Sequence, residues 1–116
     1  MSSTMSGVTF DAQDAQAVAS FWGQTLGRDV APGGSAVRAV IEADPAVPGS
    51  RIGFLQVPEG KTVKNRMHLD VITADLDAEV ERLTALGASK LNEVNAGAHW
   101  VTMADPEGNE FDVIAG

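Results

Sequence analysis

The chain has 116 residues, of which 44% are hydrophobic, and its formal net charge is -8. This length is enough to bury one hydrophobic core, so we expect a single domain over residues 1–116. The acidic balance argues against nucleic-acid binding, because affinity for phosphates comes chiefly from Lys and Arg. The absence of cysteine excludes thiolate nucleophiles and thiolate metal sites, so a metal would need His, carboxylate or amide ligands.

No segment has the apolar length that is needed to span a bilayer. Residues 1–6 are polar and have neither a basic start nor an apolar run, which a secretory signal would need. We therefore expect a cytoplasmic protein without a membrane partner.

The first half of the chain predicts a strand, a helix and further strands. Residues 8–11 alternate apolar and polar side chains, as in a half-buried strand. Asp14 is a helix N-cap candidate and Gly27 a helix stop. Between them an apolar stripe with helical spacing predicts core residues, namely Val18, Phe21, Trp22 and Leu26. Three further strands are predicted at 29–32, 36–43 and 51–57.

The second half repeats this order. Residues 67–72 indicate a strand, Asp75 an N-cap and Gly87 a helix stop. Strands follow at 89–95, 99–104 and 110–114. We infer two copies of one unit, module 1 at about 7–57 and module 2 at about 67–115, with a connector at 58–66. The predicted fold is α+β, with two tandem βαβββ modules forming a curved mixed or antiparallel sheet around a central groove.

Between the last two strands lies the sequence Asp105-Pro106-Glu107-Gly108-Asn109. Proline favours the second position of a type I turn, and glycine or asparagine accepts the positive φ that returns the chain to a sheet. We interpret this stretch as a hairpin connection in which Asp105 caps the turn.

Period-two geometry assigns strand residues to two faces. One face should pack beneath the helices and includes Val8, Phe10, Leu69, Val71, Phe111 and Val113. The other should face the groove and includes His68, Asp70, Glu110 and Asp112. The same parity predicts that Phe54 and Gln56 face the groove, with Leu55 and Val57 beneath. We therefore predict three residues that bind a small-molecule ligand: Phe54, Gln56 and Glu110.

Several local sequences resemble one known family. They are Phe21-Trp22 with Leu26-Gly27, His68-Leu69-Asp70, Leu86-Gly87-Ala88 and the turn at 105–109. These stretches are similar to the glyoxalase/bleomycin resistance/dioxygenase superfamily, also called the vicinal oxygen chelate superfamily, and residues 61–66 resemble its small glyoxalase-like domains. The resemblance implies a fold for nearly the whole chain. It does not select one function, because the family includes lyases, isomerases, dioxygenases, thiol transferases and drug-binding proteins.

The resemblance also implies positions for a metal site. Family members that use a metal take one ligand from the first and one from the last strand of each module. In module 2 these positions fall on His68 and Asp112, which both bind divalent ions. In module 1 they fall on Gly7, which has no side chain, and best on Gln56, a weak ligand. A divalent metal is thus a candidate cofactor, held by His68 and Asp112, with Gln56, Asp70 or His99 as a candidate third ligand.

Two functions fit this sequence. The first is a lyase or isomerase that acts on a small oxygenated metabolite, with His68, Asp70 and Asp112 as catalytic residues. The second is a non-catalytic protein, similar to the bleomycin resistance proteins, whose acidic groove sequesters a cationic small molecule. The resemblance further implies a homodimer, because a groove built by modules of two chains is common in the family.

Overall fold

The computed structural model describes residues 2–116, and within them the chain forms seven strands and two helices. In chain order the elements are β1 (Gly7–Ala12), α1 (Ala15–Leu26), β2 (Arg38–Ile41), β3 (Arg51–Gln56), β4 (Leu69–Thr73), α2 (Leu76–Ala85), β5 (Ser89–Ala96), β6 (Ala98–Ala104) and β7 (Glu110–Ala115). Close contacts divide the chain into a first unit, Met1–Gly60, and a second unit, Lys61–Gly116. The predicted α+β class with two repeated modules is confirmed. No helix in residues 2–116 is long and apolar enough to cross a membrane.

The first unit contains a three-stranded mixed sheet in the order β1-β3-β2, with β1 parallel and β2 antiparallel to β3. Helix α1 begins after Asp14, whose side chain accepts a hydrogen bond from Ala17 N at 3.1 Å, and it ends at Gly27 with φ 64°. The prediction of a strand at 29–32 is wrong. That segment is tied to β2 by a bond from Ala31 N to Val40 O, and Pro32 has no N–H with which to continue a ladder.

Aromatic side chains form the core of the first unit. Trp22 on α1 is fully buried and meets Phe10 edge to face, with ring centroids 5.6 Å apart. Phe10 in turn lies 5.4 Å from Phe54, its partner in the β1–β3 register. Because aligned residues of parallel strands share a face, Phe54 follows Phe10 into this core. The predicted faces of β3 are therefore wrong: Phe54 is 0% exposed and Leu55 is 45% exposed.

The second unit contains a four-stranded sheet in the order β4-β7-β6-β5. Strand β4 runs parallel to β7, and the other two pairs are antiparallel. Asp75 caps α2 by accepting a hydrogen bond from Ala78 N at 3.1 Å. Four large side chains of this unit are completely buried, namely Leu83, Met103, Phe111 and Val113. Burial of Phe111 and Val113 agrees with the predicted faces of β7.

The turn between β6 and β7 is organised by one buried carboxylate. Asp105 is 3% exposed, and its Oδ1 accepts hydrogen bonds from the backbone N–H groups of Glu107 at 2.9 Å and Asn109 at 3.0 Å. The Asn109 side chain donates to Oδ2 at 2.9 Å. Gly108 supplies the positive φ of 91°. The predicted hairpin with a capping Asp105 is confirmed.

Residues 61–67, which we call the strap, are attached to the first residue of β7. Lys61 Nζ lies 3.0 Å from Glu110 Oε1, and Asn65 N donates to the same oxygen at 3.0 Å. Partial burial raises the pKa of the Glu110 carboxyl, but the Asn65 N–H and the Lys61 ammonium outweigh it and lower that pKa to about 2. The strap leads directly into His68, so this anchor holds the chain just before β4.

We expect Asp105→Ala to lower the free energy of unfolding by about 2 to 3 kcal/mol, because buried N–H groups lose their acceptor. Asp105→Asn keeps one oxygen acceptor and should lose less. Urea unfolding at neutral pH measures both values. Equal losses for the two variants would show that the acceptor is not what stabilises the turn.

Glu110→Ala should lower the free energy of unfolding at pH 7 by about 1 to 2 kcal/mol, because it releases the strap. The folded pKa of about 2 lies below the ordinary 4.5, so the stabilisation is complete above pH 4.5 and is lost as the pH falls toward 2. Urea unfolding at pH 7 and pH 3 should therefore show a smaller difference from wild type at pH 3. Glu81→Ala, at an exposed position of α2, is the control. A pH-independent difference for Glu110→Ala would contradict the ionic anchor.

Candidate functional site

Three side chains of the second unit meet at the start of β4. His68 Nδ1 lies 2.9 Å from Asp70 Oδ1 and 3.8 Å from Asp112 Oδ2. One ligand atom from each residue lies within 4.8 Å of the others. The register explains this, since Asp70 pairs with Asp112 across the parallel β4–β7 ladder. The three residues that the sequence indicates as catalytic thus lie together, with His68 just before the strand in which it was predicted.

Asp112 is the most firmly held member of the cluster. Thr102 on β6 is its partner in the β6–β7 register, and Thr102 Oγ1 donates to Asp112 Oδ1 at 2.6 Å. The Asp112 side chain is 19% exposed, whereas that of Asp70 is 54% exposed. One oxygen of Asp112 is therefore oriented by the protein, and the other faces His68.

Sequence reasoning missed Thr102 because the two faces of β6 could not be assigned. Val101 and Met103 are buried at 2% and 0% exposure, which places Thr102 on the opposite face. The sequence does show a polar residue, Thr102, between two apolar neighbours. Only the register with β7 shows that this residue stands beside Asp112.

The donor set of the cluster fits a divalent cation. Two carboxylates that face each other in one ladder repel, and a proton or a cation between them relieves that repulsion. One imidazole nitrogen with two carboxylate oxygens gives three protein ligands, the number that catalytic zinc sites use while keeping a position open. Nitrogen and oxygen donors also suit manganese, iron or cobalt.

The other predicted ligand-binding residues are engaged elsewhere. Glu110 binds the strap through both carboxylate oxygens, which Lys61 Nζ approaches at 3.0 and 3.2 Å. The side chain of Phe54 is buried in the core of the first unit. Gln56 Nε2 donates to Gln13 O at 3.0 Å. A cavity of about 370 Å³ in the first unit is lined by Gln13, Gln56, Val57 and Pro58.

The first unit has glycine at both positions that correspond to His68 and Asp112. Gly7 is the counterpart of His68, and Thr9, two residues later, pairs with Gly53 as Asp70 pairs with Asp112. The register therefore makes Gly53, and not Gln56, the residue of the first unit that is equivalent to Asp112. Gln56 pairs instead with the buried Ala12.

A side chain is blocked at Gly7 and would be tightly packed at Gly53. A Cβ on Gly7 would lie 2.1 Å from Arg51 O, a distance that no real contact allows. A Cβ on Gly53 would lie 3.0 Å from Thr9 Oγ1 and 3.2 Å from the Arg51 guanidinium. The first unit therefore offers no ligand at these two positions, and the candidate ligands all come from the second unit.

Comparison with solved structures shows the fold. A glyoxalase/bleomycin resistance protein/dioxygenase family enzyme from Burkholderia phytofirmans PsJN is 21% identical, with 97% of this chain and 98% of that chain covered and a TM-score of 0.75. A mutant of the fosfomycin resistance protein FosX from Listeria monocytogenes, complexed with Mn(II) and 1S,2S-dihydroxypropylphosphonic acid, is 17% identical over 100% and 92% of the two chains, with a TM-score of 0.76. Lactoylglutathione lyase from Agrobacterium tumefaciens is 15% identical over 100% and 95%, with a TM-score of 0.65. None of the curated proteins matches this chain.

The family model described as the glyoxalase-like domain matches residues 7–114, which is nearly the whole chain and includes both sheets and the His68 cluster. The chain therefore belongs to the glyoxalase-like domain family.

Proposed function

We propose that this protein is a glyoxalase-like lyase or isomerase that acts on a small oxygenated metabolite at His68, Asp70 and Asp112. The observation that carries the proposal is the close His68–Asp70 pair, with Nδ1 2.9 Å from Oδ1, and Asp112 Oδ2 at 3.8 Å from the same nitrogen. An imidazole oriented by a carboxylate is a common general base. The lyase named among the structural relatives supports the reaction class only at the level of the shared fold.

The position of Asp70 beside Nδ1 determines how His68 would act. With its proton on Nδ1, next to the carboxylate, the neutral ring would leave the Nε2 lone pair to accept a proton from a carbon next to a carbonyl group. Asp70, on the Nδ1 side of the ring, would orient the imidazole and offset the positive charge that develops during proton transfer. Asp112, whose Oδ1 accepts a hydrogen bond from Thr102, places a second carboxylate oxygen 3.8 Å from His68 Nδ1.

The same three side chains would hold a divalent cation in a metal-dependent form of the enzyme. When bound, the cation would polarise a carbonyl or enediolate oxygen of the substrate. The FosX structure from Listeria contains Mn(II), which shows that a protein of this fold binds such an ion. This chain would supply one imidazole and two carboxylates from the second unit, of which Asp112 is held in place by Thr102.

A second candidate is a binder that sequesters a cationic small molecule without turnover. It is favoured by the net charge of -8 and by Asp70, whose side chain is 54% exposed beside Asp112. Such a protein would bind through the two carboxylates and would not need His68 as a base.

A cytoplasmic location and a homodimeric state are also part of this proposal. Both follow from the sequence and from the family resemblance. A monomeric mass in light scattering would contradict the homodimer.

Metal binding is tested by thermal unfolding with Mn²⁺, Zn²⁺, Ni²⁺ and Mg²⁺ added separately. An ion present at about 100 times its dissociation constant stabilises the folded state by about 2.7 kcal/mol, so we expect Tm to rise by about 11 °C. His68→Ala and Asp112→Asn should abolish the shift. His99→Ala is the matched control, because His99 is the other histidine of the chain and pairs with Glu93 at 2.8 Å. An equal shift in His68→Ala would contradict this site, and no shift with any ion would contradict the metal-dependent form.

Proton abstraction is tested by proton NMR in D₂O with hydroxyacetone and 2-hydroxyacetophenone as probes. The base should exchange the hydrogens between the carbonyl and hydroxyl groups for deuterium. His68→Ala should slow that exchange by about 10² or more, whereas His99→Ala should leave it unchanged. Binding of either probe without exchange would contradict the lyase or isomerase and favour the binder.

A further inference from the structure

The sheet of the second unit has one buried and one open face. Val101, Met103, Phe111 and Val113 alternate into the core. Their neighbours along the strands must therefore lie on the opposite face, which we call the open face. The register of the three strand pairs shows which side chains of the open face stand beside one another.

A polar row crosses the open face at the proposed site. Asp70 pairs with Asp112, Asp112 with Thr102, and Thr102 with Asn92. Each of the four strands thus contributes one polar side chain to a single line. The hydrogen bond from Thr102 to Asp112 at 2.6 Å shows that neighbours in this row make contact.

An apolar row crosses the open face directly beside the polar one. Ile72 pairs with Ile114, Ile114 with Trp100, and Trp100 with Val94. Every member stands two residues from a member of the polar row on the same strand. Two residues of a strand span about 7 Å. The apolar row therefore lies about 7 Å from the polar row, a distance that one small substituent of a ligand can cover.

The apolar row is open to solvent to an unusual degree at one end. The Ile72 residue is 75% exposed, and Ile114, Trp100 and Val94 are half-buried. Contiguous apolar side chains beside polar groups are typical of small-molecule sites, in which the apolar part supplies affinity and the polar part supplies orientation.

We propose that the substrate is amphipathic: an oxygenated carbon lies at His68, Asp70 and Asp112, and an aromatic or aliphatic group attached to that carbon lies on the apolar row. This inference rests on the proposed function and adds the substrate class. A phenyl group joined directly to the carbonyl carbon is long enough to reach from one row to the other. A methyl group in its place is too short to leave the polar row.

The test compares 2-hydroxyacetophenone with hydroxyacetone, which share a hydroxyketone and differ by phenyl against methyl. Dissociation constants come from ligand-observed NMR titrations. We expect the phenyl compound to bind about tenfold tighter, from the apolar area that it covers. Ile72→Ser should reduce this preference to about twofold and leave hydroxyacetone binding unchanged. Because Ile72 is exposed, the variant should keep its stability.

Leu91→Ser is the matched control, since Leu91 is an exposed aliphatic residue of β5, 54% accessible, at the register shift between Lys90 and Asn92 and outside both rows. It should keep the full phenyl preference. Equal binding of the two probes, or an equal loss in Ile72→Ser and Leu91→Ser, would overturn the inference. Asp112→Asn should weaken both probes by the same factor and preserve their ratio.

The two proposals fail in different ways. A phenyl preference that depends on Ile72, without deuterium exchange, would retain the apolar row and reject the lyase or isomerase. Exchange that depends on His68, without a phenyl preference, would retain the enzyme and reject the amphipathic substrate.

Discussion

The parallel pairing of β4 with β7 is the constraint on which the candidate site depends. Phe111 and Val113 must be buried, and because side chains alternate along a strand, Asp112 is forced onto the other face. The register then sets Asp70 beside it. Two carboxylates in adjacent positions repel each other, and neighbouring groups offset this repulsion. Thr102 donates to Asp112, and His68 Nδ1 lies within 3.8 Å of both acids. A shift of this register by one residue would expose Phe111 and Val113 and would also separate Asp70 from Asp112.

The two units share the same strand pairing but have different side chains at the equivalent positions. Both begin with a strand that pairs in parallel with the last strand of its unit. In the second unit that pair presents His68, Asp70 and Asp112, whereas in the first the matching positions are Gly7, Thr9 and Gly53. At Gly7 the carbonyl oxygen of Arg51 occupies the space that a side chain would need, and at Gly53 there is no side chain to act as a ligand. The repeat therefore explains the fold of both units and the chemistry of only one.

Glu110 and Asp112 illustrate how partners decide the role of a residue. They are two residues apart on β7 and share a face, so the alternation of side chains predicts the same exposure and the same role for both. The Glu110 oxygens accept from Lys61 and Asn65 and hold the strap, which lowers the pKa of that carboxyl to about 2. Asp112 keeps one oxygen toward His68. The first carboxylate has become part of the scaffold that leads into the site, and the second remains available for chemistry.

The sequence by itself determined the elements of local origin. Hydrophobic periodicity and capping residues such as Asp14 and Asp75 gave both helices, and the Asp105 turn gave the last hairpin, because these signals act within a few residues. The repeat and the family resemblance then led to the fold and to His68, Asp70 and Asp112. The tertiary structure alone decided what depends on pairing between distant strands. Phe54 lies in the core because it pairs with Phe10, Thr102 joins the site because it pairs with Asp112, and the strand at 29–32 does not form. Register is a property of two segments together, and no pattern within one segment contains it.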